Sequence, residues 1–217
     1  MIVSDIITRV RRTFGDEAAV QVQDADVIRW INDAQIEIVK RNDSALQETT
    51  FMDLVANQST YTMPATLLII RALRYKYTSM LSFNKIKYAS MQEFDELVDG
   101  WDGTAYGVGA PIYYTMDKGQ VILFPTPDQS ATGGLKILHN KRPTDVVLTS
   151  DALSLPLIYH NTIWQYCMWQ ASLLDEDHDP AIMYQSNFMD DVRELSNSDT
   201  KEDTNTYPTI TVLEFDA

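Results

Sequence analysis

The sequence predicts an α+β protein: a helical bundle formed by both chain ends, an inserted antiparallel β region, and an extended C-terminal tail. Three observations predict it. Apolar residues recur at helical spacing in residues 1–48 and 155–195, they alternate or cluster in short strand-like blocks over 49–154, and 196–217 is a polar linker leading into a strand-like tail. A chain of 217 residues is long enough for one compact domain, or a body with a large insertion, to bury most of its apolar surface.

The elements follow in order. Ile2, Val3, Ile6, Ile7 and Val10 make the apolar stripe of a first helix that stops at Phe14-Gly15-Asp16, with Arg9, Arg11 and Arg12 suited to the negative end of its dipole. A second helix, N-capped by Asp24 or Asp26, runs to about Arg41 on Val27, Ile31, Ala34 and Ile38, with Trp30 beside the stripe as a core or interface residue. Strands are expected over Thr49 to Val55 and Thr60 to Met63, separated by the turn Asn57-Gln58-Ser59, and again over Leu68 to Tyr77 and Leu81 to Tyr88. Arg71, Arg74, Lys76, Lys85 and Lys87 are spread along the latter two. Their mixed facing reads as a solvated sheet surface, with a basic stripe for a partner as the alternative.

Ser90 and Glu93 match a capping box that opens a short helix through Phe94, Leu97 and Val98. Gly100, Gly103, Gly107 and Gly109 then form a loop, with no phosphate-binding pattern among them. Ile112 to Met116, the turn Asp117-Lys118-Gly119 and Val121 to Phe124 form the clearest hairpin, and Leu135 to His139 another strand. After Leu155-Pro156 the helical period returns through Tyr159, Ile163, Tyr166, Cys167, Gln170 and Leu174. Trp164 and Trp169 make this helix apolar nearly all round, hence central. The short segment Asp175 to Asp179 forces an antiparallel return, and a last helix from Asp179-Pro180 carries Ala181, Tyr184, Phe188, Val192 and Leu195 on one face.

Composition is globular, 45% hydrophobic and 22% charged, apart from the polar run Ser196 to Thr206. The start Met1-Ile2-Val3-Ser4-Asp5 lacks the features of a signal peptide, so the chain reads as unexported, without a membrane association. Its single cysteine, Cys167, forbids an internal disulfide. The net charge of −14 is uneven: from Thr144 onward 14 acidic side chains face two basic ones, whereas the first 143 residues hold 17 acids and 15 bases. Such a field repels free nucleic acid and attracts a basic protein surface; a solvated acidic face is the plainer alternative.

No catalytic, cofactor-binding or metal-ligating residue is singled out, and no cofactor is expected. Asp175-Glu176-Asp177-His178-Asp179 lacks the glycine and final glutamate of a calcium loop and reads as a turn with an N-cap before it reads as a metal site. His160 and Cys167 stand about 10 Å apart along one helix, too far for a thiol–imidazole pair, so Cys167 reads as a small buried hydrophobe. His139 and His178 lack zinc-ligand spacing. Asp95-Glu96 and Asp190-Asp191 point to different sides of a helix, which disfavours an acid–base pair. Tyr75, Tyr77 and Tyr88 near basic residues resemble a stacking platform, opposed by the acidic total. The tail Tyr207 to Phe215 alternates apolar and polar residues and suits strand addition to a partner, or a last strand on its own sheet.

The chain resembles the head-to-tail adaptor (connector) proteins of tailed bacteriophages. The resemblance is carried by Trp30-Ile31-Asn32-Asp33-Ala34, Asn57 to Pro64 with its Tyr61, Pro111-Ile112-Tyr113-Tyr114 leading through Gly119 to Leu123-Phe124-Pro125-Thr126-Pro127, and Leu155-Pro156-Leu157-Ile158-Tyr159, in that order. It implies a non-enzymatic virion protein, made in the host cytoplasm and placed in the neck. There a dodecameric ring docks on the portal, continues a DNA channel without specific DNA binding, and connects to the next neck or tail protein. It also assigns portal contact to Tyr207, Ile210, Val212, Leu213 and Phe215. A neck stopper or tail-tube protein is the nearest alternative, and a carboxylate-dependent hydrolase the alternative of another class.

Overall fold

The computed structural model describes residues 2–42, 45–97 and 107–203. The chain divides into two compact units, one built from the elements up to Ala45 and from Pro143 onward, the other from Leu46–Arg142.

In the first unit, α1 (Val3–Phe14) buries Val3, Ile6, Ile7 and Val10, the stripe its spacing predicts. Gly15 ends it at φ +83°, its N–H donating to the Arg11 carbonyl at 2.8 Å, a left-handed cap that glycine adopts without Cβ strain. The following loop is pinned by Asp16, whose carboxylate accepts the N–H groups of Val20, Gln21 and Val22 at 2.8–2.9 Å. Helix α2 (Asp24–Arg41) buries Val27, Trp30, Ile31, Ala34, Gln35, Ile38 and Val39. Its N-cap is Gln23, without a side-chain cap, rather than the expected Asp24 or Asp26. Asp24 instead sits 2.7 Å from Arg11, so its charge serves an ion pair and the helix dipole.

A 3-10 turn (Leu157–Tyr159) after Pro156 leads into α4 (His160–Leu174), and α5 (His178–Asp203) returns antiparallel. Helix α5 starts one residue before Asp179, leaving Pro180 in the first turn, where its missing N–H has no intrahelical partner to lose. It also continues eight residues beyond Leu195, because an established helix propagates through polar residues at small cost. The α4–α5 interface is aromatic: Tyr166 meets Phe188 edge-on at 5.2 Å and Trp169 at 5.3 Å, and Trp164 meets Tyr184 at 5.8 Å. Arg9 of α1 lies over Trp164 at 3.8 Å.

The described residues of the second unit are built on one curled sheet of seven strands, in the order β1-β7-β3-β4-β5-β6-β2. Its strands are β1 (Gln47–Leu54), β2 (Thr60–Thr62), β3 (Leu67–Tyr75), β4 (Asn84–Tyr88), β5 (Tyr113–Asp117), β6 (Gln120–Phe124) and β7 (Ala131–Lys141). Leu73, Ile86, Leu123, Leu135 and Ile137 fill its core with Tyr61, Tyr75 and Tyr114. The β5–β6 hairpin turns at Lys118 and Gly119, both at positive φ (+46° and +78°), as a two-residue turn of matching twist requires. Helix α3 (Met91–Leu97) opens on the expected capping box: Glu93 N–H donates to Ser90 Oγ at 3.3 Å and Ser90 N–H to Glu93 Oε2 at 2.8 Å.

The expected α+β architecture, an ends-derived helical bundle with an antiparallel insertion, is therefore corrected: the fold is a mixed α/β one, with seven strands and five helices among the described residues. The sheet is mixed because β4 and β5 pair in parallel (Lys87 with Tyr113, Tyr88 with Tyr114), the stretch containing α3 bringing the chain back in the same direction. Nor do the helices of the chain ends form a bundle. Helices α1, α2 and α5 each pack on α4, while α1 and α2 barely touch.

An irregular strap, 143–156, lies against both of those helices. Val3 and Ser4 donate backbone N–H bonds to the carbonyls of Asp151 and Thr149 (3.1 and 2.8 Å). Asn32 of α2 grips the strap at Val146, donating Nδ2 to its carbonyl at 3.0 Å and accepting its N–H at Oδ1 at 2.8 Å, and Gln35 Oε1 accepts the Ser154 N–H at 3.0 Å. Backbone amides that periodicity cannot register thus take the place of helix-on-helix contact.

Candidate interaction surfaces

Strand pairing assembles a surface from residues far apart in sequence. Phe51 of β1 stands opposite Lys136 of β7, Lys136 opposite Arg74 of β3, and Arg74 opposite Lys85 of β4. Directly opposed residues of antiparallel strands share a face, so these four form one row across four strands. The preceding row of this side, Thr49–Leu138–Ala72, borders it, and Ala72, Arg74, Lys136 and Leu138 line a shallow hollow. The interleaved row Thr50–Ile137–Leu73–Ile86 points to the core instead, where Leu73, Ile86 and Ile137 are at most 1% exposed.

Phe51 is 55% exposed, and its ring lies 6.0 Å from that of Phe83. The Lys136 ammonium sits 5.9 Å from both rings, and Lys76 stands 5.8 Å from Phe83. Exposed aromatic rings gain from cations held over their faces, which keeps both kinds of group at the surface together. Among the described residues, Arg74, Lys76, Lys85 and Lys136 form no salt bridge. The nearest acid on β1, Asp53, is engaged by the Gly133 N–H at 2.7 Å. Residues 46–142 carry nine acids and nine bases, so unpaired positive charge gathers on this side of a unit that is neutral in sum.

The helical unit has the opposite character. Twenty-two acidic and eight basic residues lie outside 46–142, and the turn joining α4 to α5 concentrates part of that excess. Asp175, Glu176, Asp177 and Asp179 are exposed, with no salt bridge among the described residues. Apolar Leu173, Leu174, Ile182 and Met183 flank them, 43–64% exposed. Three other helical acids are engaged: Glu37 by Lys40 and Arg41, Asp26 by Arg29, Asp190 by Arg193. The Lys40 and Arg41 contacts lower the Glu37 carboxyl pKa despite the desolvation that would raise it.

Most other residues considered from sequence have structural occupations. Cys167 is fully buried, which pushes its thiol pKa up and disfavours the reactive thiolate. His160, also on α4, is held by its Nε2 at 3.0 Å from the Leu155 carbonyl, and burial lowers its pKa. His139 is buried in β7 with Nε2 3.0 Å from Thr50 Oγ1. Asp191 accepts from Asn161 at 3.4 Å while Asp190 faces Arg193, so these neighbours do not form a pair. Of the three tyrosines suggesting a stacking platform, Tyr75 and Tyr77 lie in the core and Tyr88 is exposed. The basic stripe is realised in part, by Arg74 and Lys85, whereas Arg71 donates to Asn140 Oδ1 at 3.3 Å. Lys136, Phe51 and Phe83 were not legible as site residues, because strand register brings Lys136 to Phe51 and the segment entering β4 brings Phe83 beside them.

Tyr207, Ile210, Val212, Leu213 and Phe215 lie outside the described residues. No described helix is long and apolar enough to cross a membrane.

Residues 1–211 match a family model described as SU10 adaptor protein. No curated protein matches the chain. The matched span covers all the motifs quoted for the resemblance, and it stops before Val212, Leu213 and Phe215.

Proposed function

The chain belongs to the SU10 adaptor protein family, and from that premise we propose that it is the head-to-tail adaptor of its virion, a ring seated on the portal. Membership makes it a phage structural adaptor protein, which interacts with other structural proteins of the particle. The family match over nearly the whole chain is the observation that carries the reading. The ring, dodecameric in the proteins the sequence resembles, continues the DNA channel and presents its far side to the next neck or tail protein. Catalysis has no part in it.

Two features of the molecule support an assembly role. On the sheet patch Phe51 lies beside unpaired bases and on the α4–α5 turn Leu174, Ile182 and Met183 lie beside unpaired acids, each the composition of a surface that docks on a complementary partner. Cys167, His139 and His160 are buried, and each of the two histidines is held by a ring-nitrogen contact to a neighbouring oxygen. DNA passes the channel without specific binding because the net charge of −14 keeps the duplex from adhering.

The portal contact is assigned to the tail, through Tyr207, Ile210, Val212, Leu213 and Phe215. Burying one such side chain stabilises by about 1.5–3 kcal/mol before ordering costs, and repetition around a ring multiplies it. Deleting residues 204–217 leaves α5 whole and tests this. Electron microscopy of portal particles mixed with the full chain is expected to show added ring density, and the shortened chain is expected to add none. Absence of density with the full chain contradicts the adaptor reading, and equal density with both moves the portal contact to the folded units.

A further inference from the structure

We infer that the basic, aromatic side of the sheet is a docking surface for a second copy of this chain, and that the acidic, apolar α4–α5 turn of that copy is what it receives. The inference rests on the ring reading and names the contact that would build the ring.

The two surfaces complement each other in both respects that govern association. One offers Arg74, Lys85 and Lys136 around the rings of Phe51 and Phe83. The other offers Asp175, Asp177 and Asp179 around Leu174, Ile182 and Met183. Charges on each side lack ion-pair partners among the described residues, so docking need break no salt bridge. The apolar groups on each side exceed two-fifths exposure for Phe51, Leu174, Ile182 and Met183, and they gain by leaving water.

The contact joins unlike surfaces, so each copy keeps one of each free after its first pairing. Such heterologous contacts close into rings when the rotation per copy allows it. Between free copies the contact works against the mutual repulsion of two chains at −14, and a portal that gathers copies raises their effective concentration enough to overcome it. A duplex would also be attracted to the basic row, but the whole chain's field opposes it, whereas a second copy supplies the opposite charge with matching apolar groups.

Charge reversal tests the pairing on portal particles, with ring density and sedimentation as readouts. One full-length variant reverses the sheet row, Arg74→Glu with Lys136→Glu, and another the turn, Asp175→Lys with Asp177→Lys. All four positions are at least partly exposed. Each variant alone is expected to lose ring occupancy at least about tenfold. An equimolar mixture of the two is expected to recover it, since each then meets a complementary surface on the other, as is a chain carrying all four changes. Recovery also excludes misfolding as the cause of the losses.

A ring that persists with either reversed variant overturns the inference while leaving the adaptor reading intact. Loss without recovery in the mixture also overturns it. If duplex DNA binding falls with the sheet variant and no mixture restores assembly, the row is a nucleic-acid surface instead. No ring with the unchanged chain removes the ring reading itself, and this contact with it.

Discussion

Asn32→Ala is expected to loosen the helical unit by about 2–4 kcal/mol, through the strap and not through the core. Asn32 projects from α2 and makes two hydrogen bonds to the one residue Val146, at 3.0 and 2.8 Å. Each such bond contributes about 1 kcal/mol net, so their loss accounts for about 2. Val146 is only 4% exposed, and a buried main-chain group left without a partner costs about 1–3 kcal/mol more, which water entering beside the half-buried alanine partly recovers.

Urea unfolding followed by tryptophan fluorescence reads the effect. Trp30, Trp164 and Trp169, three of the four tryptophans, report on this unit. Asn32→Asp serves as the internal comparison: it keeps an acceptor for the Val146 N–H but turns an oxygen toward the Val146 carbonyl, and it should fall no less than the alanine variant. The midpoint should move without a change in slope. A loss below about 0.5 kcal/mol for Asn32→Ala, the range of an ordinary surface change, would refute the clamp.

Three further outcomes are expected. Gly134→Ala places a Cβ 2.8 Å from the Ala131 carbonyl oxygen and 2.9 Å from that of Lys76, both backbone atoms, and should destabilise the sheet unit by about 1–3 kcal/mol in thermal unfolding, whereas Gly133→Ala fails only through its φ of +61°. The Asp16 carboxyl pKa is lowered, chiefly by the Val22 and Val20 N–H groups, so its contribution is full above the unfolded pKa near 3.8 and is lost as pH falls through the lower folded value; Asp16→Asn should flatten that acid limb in a stability–pH profile. Cys167 should react with a thiol reagent in urea and stay unreactive in the native protein, because burial both shields the sulfur and raises its pKa.

What could be read from sequence was whatever one segment decides alone. The stripe Val3, Ile6, Ile7, Val10, the Gly15 stop, the Ser90–Glu93 box and the Lys118-Gly119 turn each depend on residues within a few positions, where side-chain period and backbone sterics act directly. Element ends were less exact, since Asp24 was drawn from its capping role by Arg11, a partner on another helix. The motif holding Asn32 was visible, but its task was not, because the group it grips lies 114 residues away.

The sequence by itself determined the helical and extended periods, the turn chemistry and the uneven charge, since these follow from residue type and spacing. Only the tertiary structure decided that β4 and β5 run parallel, that the strap replaces direct α1–α2 packing, and that Phe51, Arg74, Lys85 and Lys136 share one row. Which strand lies beside which, and in what register, is a competition among hydrogen-bonded pairings of distant segments. A slip of one residue would have sent the same cations to the core side, so their common surface exists only once the whole sheet has closed.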